Sequence, residues 1–166
     1  MKSIPLQPNG AAVIYVAIAV QNGTIMPQRR FLVDTGATRT TIPKKLLIDT
    51  FEYTEDYIQK NKIQLSEKEK PLMADGKRAD VYMVKAPRIN IGGHEIQPDY
   101  ILTSDTIASL NLLLGLDILR NFKFTYDFDA IDDDAPHGRM FYEFRESCIT
   151  PFIKLGESFA YKISDS

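Results

Sequence analysis

The sequence has 166 residues, of which 44% are hydrophobic, 10% aromatic and 25% charged, and its formal net charge is -2. This length suits one domain, and the composition is typical of a globular protein rather than a disordered or fibrous one. With 20 basic against 22 acidic side chains and no basic run, the chain offers no surface that would follow nucleic-acid phosphates. We therefore expect a single domain over 1–166, with a peripheral extension over 145–166, and no nucleic-acid partner.

The single cysteine, Cys148, excludes an intrachain disulfide and a cysteine-rich metal site. No His or Asn signature of a thiol enzyme accompanies it, so we expect a packing or surface role. The first apolar stretch, 11–20, is interrupted by Tyr15 and is too short to span a bilayer. These features favour a cytoplasmic protein with no membrane contact.

The N-terminal third is predicted to be mostly strand. Residues 11–20 alternate β-branched side chains and end at a turn signal over 21–23, which is typical of a strand entering a hairpin. A second strand is predicted over 30–33, and a short third strand over 40–42.

Two short helices are predicted next. Pro43 suits the first position of a helix over 44–49, because its missing N–H costs nothing there. Thr54, followed by two acidic residues, would cap a second helix that ends near residue 60.

The remainder returns to strands separated by turns. Asp-Gly at 75–76 and Gly-Gly at 92–93 are typical of hairpin tips. The apolar run 112–114 ends in a glycine, after which helical spacing predicts a short helix. Alternation over 122–128 and 140–144 indicates late strands on either side of an acidic loop, and a last strand is predicted over 158–163.

Three segments carry residues suited to chemistry, and they occur in a fixed order. They are Phe31-Leu32-Val33-Asp34-Thr35-Gly36-Ala37-Thr38, then Ala74-Asp75-Gly76-Lys77, then Leu112-Leu113-Leu114-Gly115-Leu116-Asp117. Together they resemble the retropepsin-like aspartic peptidases over about 12–128 of the chain, most specifically in the first and third segments. The resemblance implies an all-β fold, a closed acid-protease β-barrel with one or two short helices.

The resemblance also implies a role for each segment. Asp34 would be the catalytic carboxylate, supported in its loop by Thr35, Gly36, Ala37 and Thr38. The second segment, Ala74 to Lys77, would be the flap hairpin that closes over a peptide. The third, with Leu113, Leu114 and Gly115, would pass behind the active-site loop.

The chemistry explains why such a family needs paired carboxylates. Hydrolysis without a metal or a covalent intermediate needs an acid and a base held together, and two carboxylates about 3 Å apart share one proton and so supply both. Only one Asp-Thr-Gly triplet occurs in the chain, so the pair must come from two copies related by a two-fold axis. The expected protein is a homodimeric aspartic endopeptidase acting on peptides or proteins, with no cofactor and no metal.

Several alternatives stay open. Asp34 and the Asp75-Gly76 pair could each be an ordinary turn. Asp117 would cap or orient the helix after Gly115 rather than act as an acid. The acidic residues 132–134 with His137 are expected to form a solvated loop rather than a cation site.

The function and the dimer contact also have alternatives. The same fold could bind an extended peptide or a protein with little turnover, or serve only for dimerisation. Either the N-terminal segment or the strand over 158–163 would join the two copies. Met73, Met83 and Ile42 favour a substrate with apolar side chains flanking the cut bond.

Overall fold

The computed structural model describes residues 1–19, 28–51, 53–107, 110 and 112–145. The strands in these ranges are β1 (Lys2–Pro5), β2 (Val13–Ala19), β3 (Arg29–Val33), β4 (Ile63–Gln64), β5 (Tyr82–Lys85), β6 (Arg88–Ile91), β7 (His94–Ile96), β8 (Tyr100–Thr103), β9 (Leu113–Leu114), β10 (Phe122–Asp127) and β11 (Arg139–Phe144). The helices are α1 (Lys44–Phe51), α2 (Glu55–Asn61) and α3 (Leu116–Leu119). The expected β architecture is confirmed. The described ranges contain three short helices at the three places where the residue pattern predicts them, whereas the resemblance implies one or two. The turn over 21–23, the strand over 158–163 and Cys148 lie outside the described residues.

The described strands form three sheets. Their orders are β1-β11-β10, β7-β6-β2-β3-β9 and β4-β5-β8. Most neighbours are antiparallel, but β3 and β9 run parallel, with Leu32 opposite Leu113 and Val33 opposite Leu114. Two segments separated by about half the chain therefore lie side by side, and β3 leads into the loop that contains Asp34 whereas β9 leads through Gly115 into α3.

The core explains why these short strands are stable. Phe31 on β3, Leu114 on β9 and Ile118 on α3 are fully buried together with apolar side chains from the other elements. Removing one such side chain from water stabilises a fold by about 1.5–3 kcal/mol. The residues that precede Asp34 and Gly115 are thus anchored in the core, which fixes where the Asp34 loop and α3 begin.

The helices predicted after Pro43 and after Thr54 both form, and each begins where its starting residue predicts. The Tyr57 backbone N–H donates to the Thr54 hydroxyl at 3.0 Å, which confirms the predicted cap of α2. Helix α1 begins directly after Pro43 and buries Leu47 and Phe51 against the core. Neither these helices nor α3 has the length and apolar content needed to cross a membrane.

The predicted strand over 40–42 is wrong in detail. Thr41 forms only isolated bridges, one to Leu102 and one to Leu113. Its N–H donates to the Leu113 carbonyl at 2.9 Å, and Ile42 donates to Leu102 at 3.0 Å. Pro43 follows at once and has no N–H to continue a ladder, so the segment lies between two strands without becoming one.

Candidate active site

Asp34 lies where β3 ends, in a tight loop whose geometry is set by backbone hydrogen bonds. Its N–H donates to the Leu114 carbonyl at 3.1 Å, which continues the β3–β9 pairing into the loop. Its carboxylate Oδ1 accepts from the Gly36 N–H at 2.9 Å, and its carbonyl accepts from Ala37 at 3.3 Å. One carboxylate oxygen is thus oriented by the chain itself. Within the described part of the chain, no hydrogen bond reaches Oδ2.

The residues after Asp34 lie at the surface of the single chain. Thr35, Gly36 and Thr38 are exposed, whereas Asp34 and Ala37 are half-buried. No hydrogen bond to the Thr35 side chain is found among the described residues. A Cβ added to Gly36 would lie 3.3 Å from Asp34 Oδ1, tight against the oxygen that its own N–H binds.

The third segment, which includes residues 113–115, is hydrogen-bonded to this loop. The Leu116 N–H donates to the Ala37 carbonyl at 2.8 Å, and the Asp117 N–H donates to Thr38 at 3.3 Å. A Cβ on Gly115 would lie 2.4 Å from the Arg39 carbonyl carbon, far inside contact distance. Only glycine lets the two backbones approach so closely, and this is the physical reason for that residue at position 115.

Thr40 and Asp117 form a hydrogen-bonded connection that sequence reasoning missed. Thr40 is fully buried, and its N–H lies 3.0 Å from both Asp117 carboxylate oxygens. The Thr40 hydroxyl donates to Asp117 Oδ1 at 2.8 Å and accepts from the Gly115 N–H at 3.1 Å. Asp117 also accepts from the Ile118 N–H at 2.9 Å inside α3, but the cap position of that helix is Gly115 and no side chain caps it. Its larger contribution is to hold the far end of the Asp34 loop.

The predicted flap segment forms an exposed hairpin. Met73 donates to the Lys77 carbonyl at 2.8 Å, and Gly76 donates to Met73 at 3.0 Å. Gly76 has φ +80°, which favours glycine, and the Asp75 carboxylate accepts from the Lys77 N–H at 3.0 Å. Ala74 is exposed with the rest of the tip. No hydrogen bond joins this hairpin to the Asp34 loop in the described structure.

Tyr126 on β10 is affected by the charge of Asp34, which the sequence did not indicate. Burial raises the pKa of its phenol, and the negative charge of Asp34 raises it further. The alternation of β10 marked Tyr126 only as a core position. Its proximity to a carboxylate depends on how β10 packs, which periodicity does not reveal.

The other polar candidates have local partners. Asp132 pairs with Arg139 at 2.8 Å, and that hydrogen bond is the main reason its pKa is lowered. Asp127 Oδ1 accepts from the Asp129 and Ala130 N–H groups, as in a closed turn. Where the structure describes the chain, no three His, Cys, Asp or Glu side chains are grouped as metal ligands. His94 stacks on Phe144 with ring centres 4.2 Å apart.

Residues 16–118 match the sequence model of the aspartyl protease family. Among solved structures, the chain is similar to a retropepsin-like aspartic protease from Rickettsia conorii, with a TM-score of 0.48 and 20% identity over 84% of this chain and 95% of that one. It is also similar to EIAV protease in complex with an inhibitor, with a TM-score of 0.47 and 20% identity over 70% and 92% of the two chains. The protease-like domain of Ddi1 from Leishmania major gives a TM-score of 0.38 and 14% identity over 74% and 89%. No curated protein sequence matches the chain.

Proposed function

Because this chain belongs to the aspartyl protease family, we propose that it is a retropepsin-like endopeptidase with a carboxylate pair built from Asp34 of two copies. The observation that carries the proposal is the Asp34 loop itself. It presents a single half-buried carboxylate, oriented by the Gly36 N–H, on a loop in which Thr35, Gly36 and Thr38 are exposed. One such loop supplies half of an acid–base pair, so a second copy is needed.

The proposed reaction uses water as the nucleophile. In the dimer the two Asp34 carboxylates share one proton, because two negative charges so close together cannot both be stable. The ionised carboxylate takes a proton from the water while the water oxygen attacks the peptide carbonyl carbon. The protonated carboxyl gives its proton to the carbonyl oxygen, which forms a neutral tetrahedral diol. Collapse of the diol breaks the C–N bond after the nitrogen is protonated, and the pair returns to its starting state.

The loop geometry suits this chemistry. The Gly36 N–H occupies one Asp34 oxygen, so the carboxylate plane is fixed before substrate binds and little reorganisation is needed. Thr35 is exposed beside it, and in the proposed dimer its hydroxyl would donate a hydrogen bond to the opposite loop. Leu114 and the Thr40–Asp117 connection hold the two ends of the loop. Thr35 and Gly36 are therefore scaffold residues, and the proton transfers belong to Asp34.

The hairpin around Gly76 is the proposed cover for a bound peptide. Leu72 and Met73 next to its tip are 63% and 44% exposed, so they are accessible to another apolar surface. Peptide side chains in a cleft would supply that surface and exclude water from the carboxylates. Ile42 is fully buried, so its expected contact with substrate is dropped, whereas Met83 is only half-buried.

The test is cleavage of a diverse peptide mixture, with every cut mapped by mass spectrometry. The parent protein is expected to cut peptides, and the Asp34→Asn protein, which keeps the shape but not the ionisable pair, is expected to cut none. Equal cutting by both proteins would contradict the proposal. Peptide binding by both proteins with no cleavage by the parent would favour the alternative, a peptide-binding dimer.

A further inference from the structure

Arg39 is a charged residue of the Asp34 loop that the proposed reaction does not use. It is the only charged residue between Asp34 and the start of α1 at Lys44. Arg39 is exposed, and a guanidinium keeps its positive charge throughout the physiological pH range. The loop therefore carries one permanent cation five residues after the proposed catalytic carboxylate.

The backbone at Arg39 is held in place although the residue is exposed. Its carbonyl carbon and oxygen pack against Gly115, where an added Cβ would lie 2.4 and 2.7 Å from them. The next residue, Thr40, is fully buried and donates to Asp117 through both its N–H and its hydroxyl. These contacts fix where the Arg39 side chain starts, which reduces the conformational freedom that a bound group must remove.

The charge of Arg39 acts towards the hairpin that is the proposed cover of the site. Hydrogen bonds from Ser66 lower the pKa of Glu69, and the positive charge of Arg39 lowers it further. Glu69 comes three residues before Leu72, where the bridged part of the hairpin begins. A peptide held between the Asp34 loop and this hairpin would therefore pass through the field of Arg39.

Arg39 has no acidic partner among the described residues. Its guanidinium forms no ion pair and no hydrogen bond there, whereas Arg139 forms an ion pair with Asp132 at 2.8 Å. Glu69 does not fill this role, because its Oε2 already accepts from the N–H and the hydroxyl of Ser66, at 2.9 and 2.7 Å. In the described structure the N–H donors of Arg39 are therefore available to a ligand.

We propose that Arg39 selects peptides that carry an acidic side chain near the bond to be cut. This inference rests on the proposed function, since it names the substrate class of that site. A guanidinium binds a carboxylate through two parallel hydrogen bonds, and such charge-assisted bonds are about twice as strong as neutral ones. A hairpin that closes over the peptide excludes water and strengthens the pair. The preferred peptide combines an acidic residue with apolar neighbours that meet Leu72 and Met73.

Two copies of the chain give two such positions. Because the proposed two-fold axis passes between the two Asp34 carboxylates, the two Arg39 side chains lie at equal distances on opposite sides of the cut bond. A bound peptide runs in one direction, so it meets one cation before the cut and the other after it. We therefore expect a preference for an acidic residue once on each side of the cut.

A matched peptide series tests the inference. It is built on one peptide of the diverse mixture that the protein cuts or binds, with Glu, Gln or Lys placed in turn at each position around the cut. On each side we expect a position where Glu raises kcat/KM about fivefold or more over Gln, as a charge-assisted hydrogen bond would. Arg39→Glu should reverse the order there, so that Lys is preferred to Glu. Arg88→Glu makes the same change of charge at an exposed arginine of β6 and should keep the preference of the parent. Equal cleavage of the Glu and Gln peptides at every position, or a preference that Arg39→Glu leaves unchanged, would overturn the inference.

Binding to the Asp34→Asn protein separates this inference from the proposed function, because that protein keeps Arg39 but lacks the ionisable pair. Fluorescence anisotropy should show the Glu peptide bound about fivefold more tightly than the Gln peptide at low salt, with a smaller difference at high salt. Cleavage by the parent without a preference for Glu overturns the inference and leaves the peptidase proposal standing. Preferential binding of Glu peptides without any cleavage by the parent overturns the peptidase proposal and supports the role of Arg39. A protein that neither binds nor cuts any peptide of the mixture overturns both.

Discussion

The buried Thr40 hydroxyl donates to the Asp117 carboxylate at 2.8 Å across 77 residues of sequence, and the Thr40 N–H lies 3.0 Å from the same group. This pair ties the last residue of the Asp34 loop to the first turn of α3. Charge-assisted hydrogen bonds of this kind are about twice as strong as neutral ones. The loop is therefore fixed at Leu114 on one side and at Asp117 on the other.

Loss of Asp117 should destabilise the protein strongly. Asp117→Ala leaves the buried Thr40 N–H without an acceptor, and an unsatisfied buried donor costs about 1–3 kcal/mol. We expect the free energy of unfolding in urea to fall by about 2–3 kcal/mol, together with peptidase activity. Asp133→Ala is the matched control, because Asp133 is exposed and makes no hydrogen bond in the described structure. Equal stability of the two variants would show that the Thr40 connection contributes nothing.

Gly115→Ala should be among the most damaging single-methyl changes. The new Cβ would lie 2.4 Å from the Arg39 carbonyl carbon and 2.7 Å from its oxygen, so backbone must move. We expect a loss of about 3 kcal/mol or failure to fold, at the upper end of overpacking costs. Gly76→Ala meets no atom within 4 Å and should cost only about 1 kcal/mol, from its positive φ. Urea titration of both variants gives the two losses in the free energy of unfolding. A larger loss for Gly76→Ala than for Gly115→Ala would contradict the close approach of the backbones at Gly115 and Arg39.

The ion cluster at Asp105 should make stability depend on acid pH. Burial raises the pKa of Asp105, but hydrogen bonds from Lys44, Tyr82 and Gln59 outweigh it and lower the pKa to about 2, from 3.8. A folded pKa below the unfolded one stabilises the fold above pH 4, and this stabilisation is lost as pH falls towards 2. Because Asp105 is about one-third exposed, we expect a contribution of about 1 kcal/mol after solvent screening.

The corresponding measurement compares Asp105→Asn with the parent protein in urea between pH 7 and pH 3. The parent should be more stable at pH 7, and the difference should shrink as pH falls below 4. A difference that stays constant with pH would mean that the charge of Asp105 does not contribute to stability. The lower stability of Asp105→Asn would then come only from the different shape of its side chain.

Local signals in the sequence predicted most of the elements. The Thr54 cap, the start of α1 after Pro43 and the hairpin at 92–93 form as expected, because each depends on residues close in sequence. Strand β1 was not identified, since Lys-Ser-Ile-Pro has little alternation and gains its structure by pairing with β11, more than 130 residues away. Long-range pairing of that kind leaves no local pattern.

The candidate site was predictable where it follows a motif and not where it depends on packing. The positions of Asp34 and Gly115 could be named from their neighbours, although their catalytic and supporting roles remain predictions. Thr40 could not be named, because a threonine before an apolar residue is common and its partner lies 77 positions away. Tyr126 was hidden for the same reason.

The central claim is that each active site needs Asp34 from two chains, and mixing parent and Asp34→Asn chains at constant total concentration tests it most directly. If chains exchange freely and both carboxylates are required, peptidase activity should follow the square of the parent fraction, so an equal mixture keeps about one quarter of the activity. Wild-type levels of dimer in sedimentation would verify that the variant still assembles. Activity that follows the parent fraction linearly, with about one half remaining in the equal mixture, would contradict a site shared between two copies.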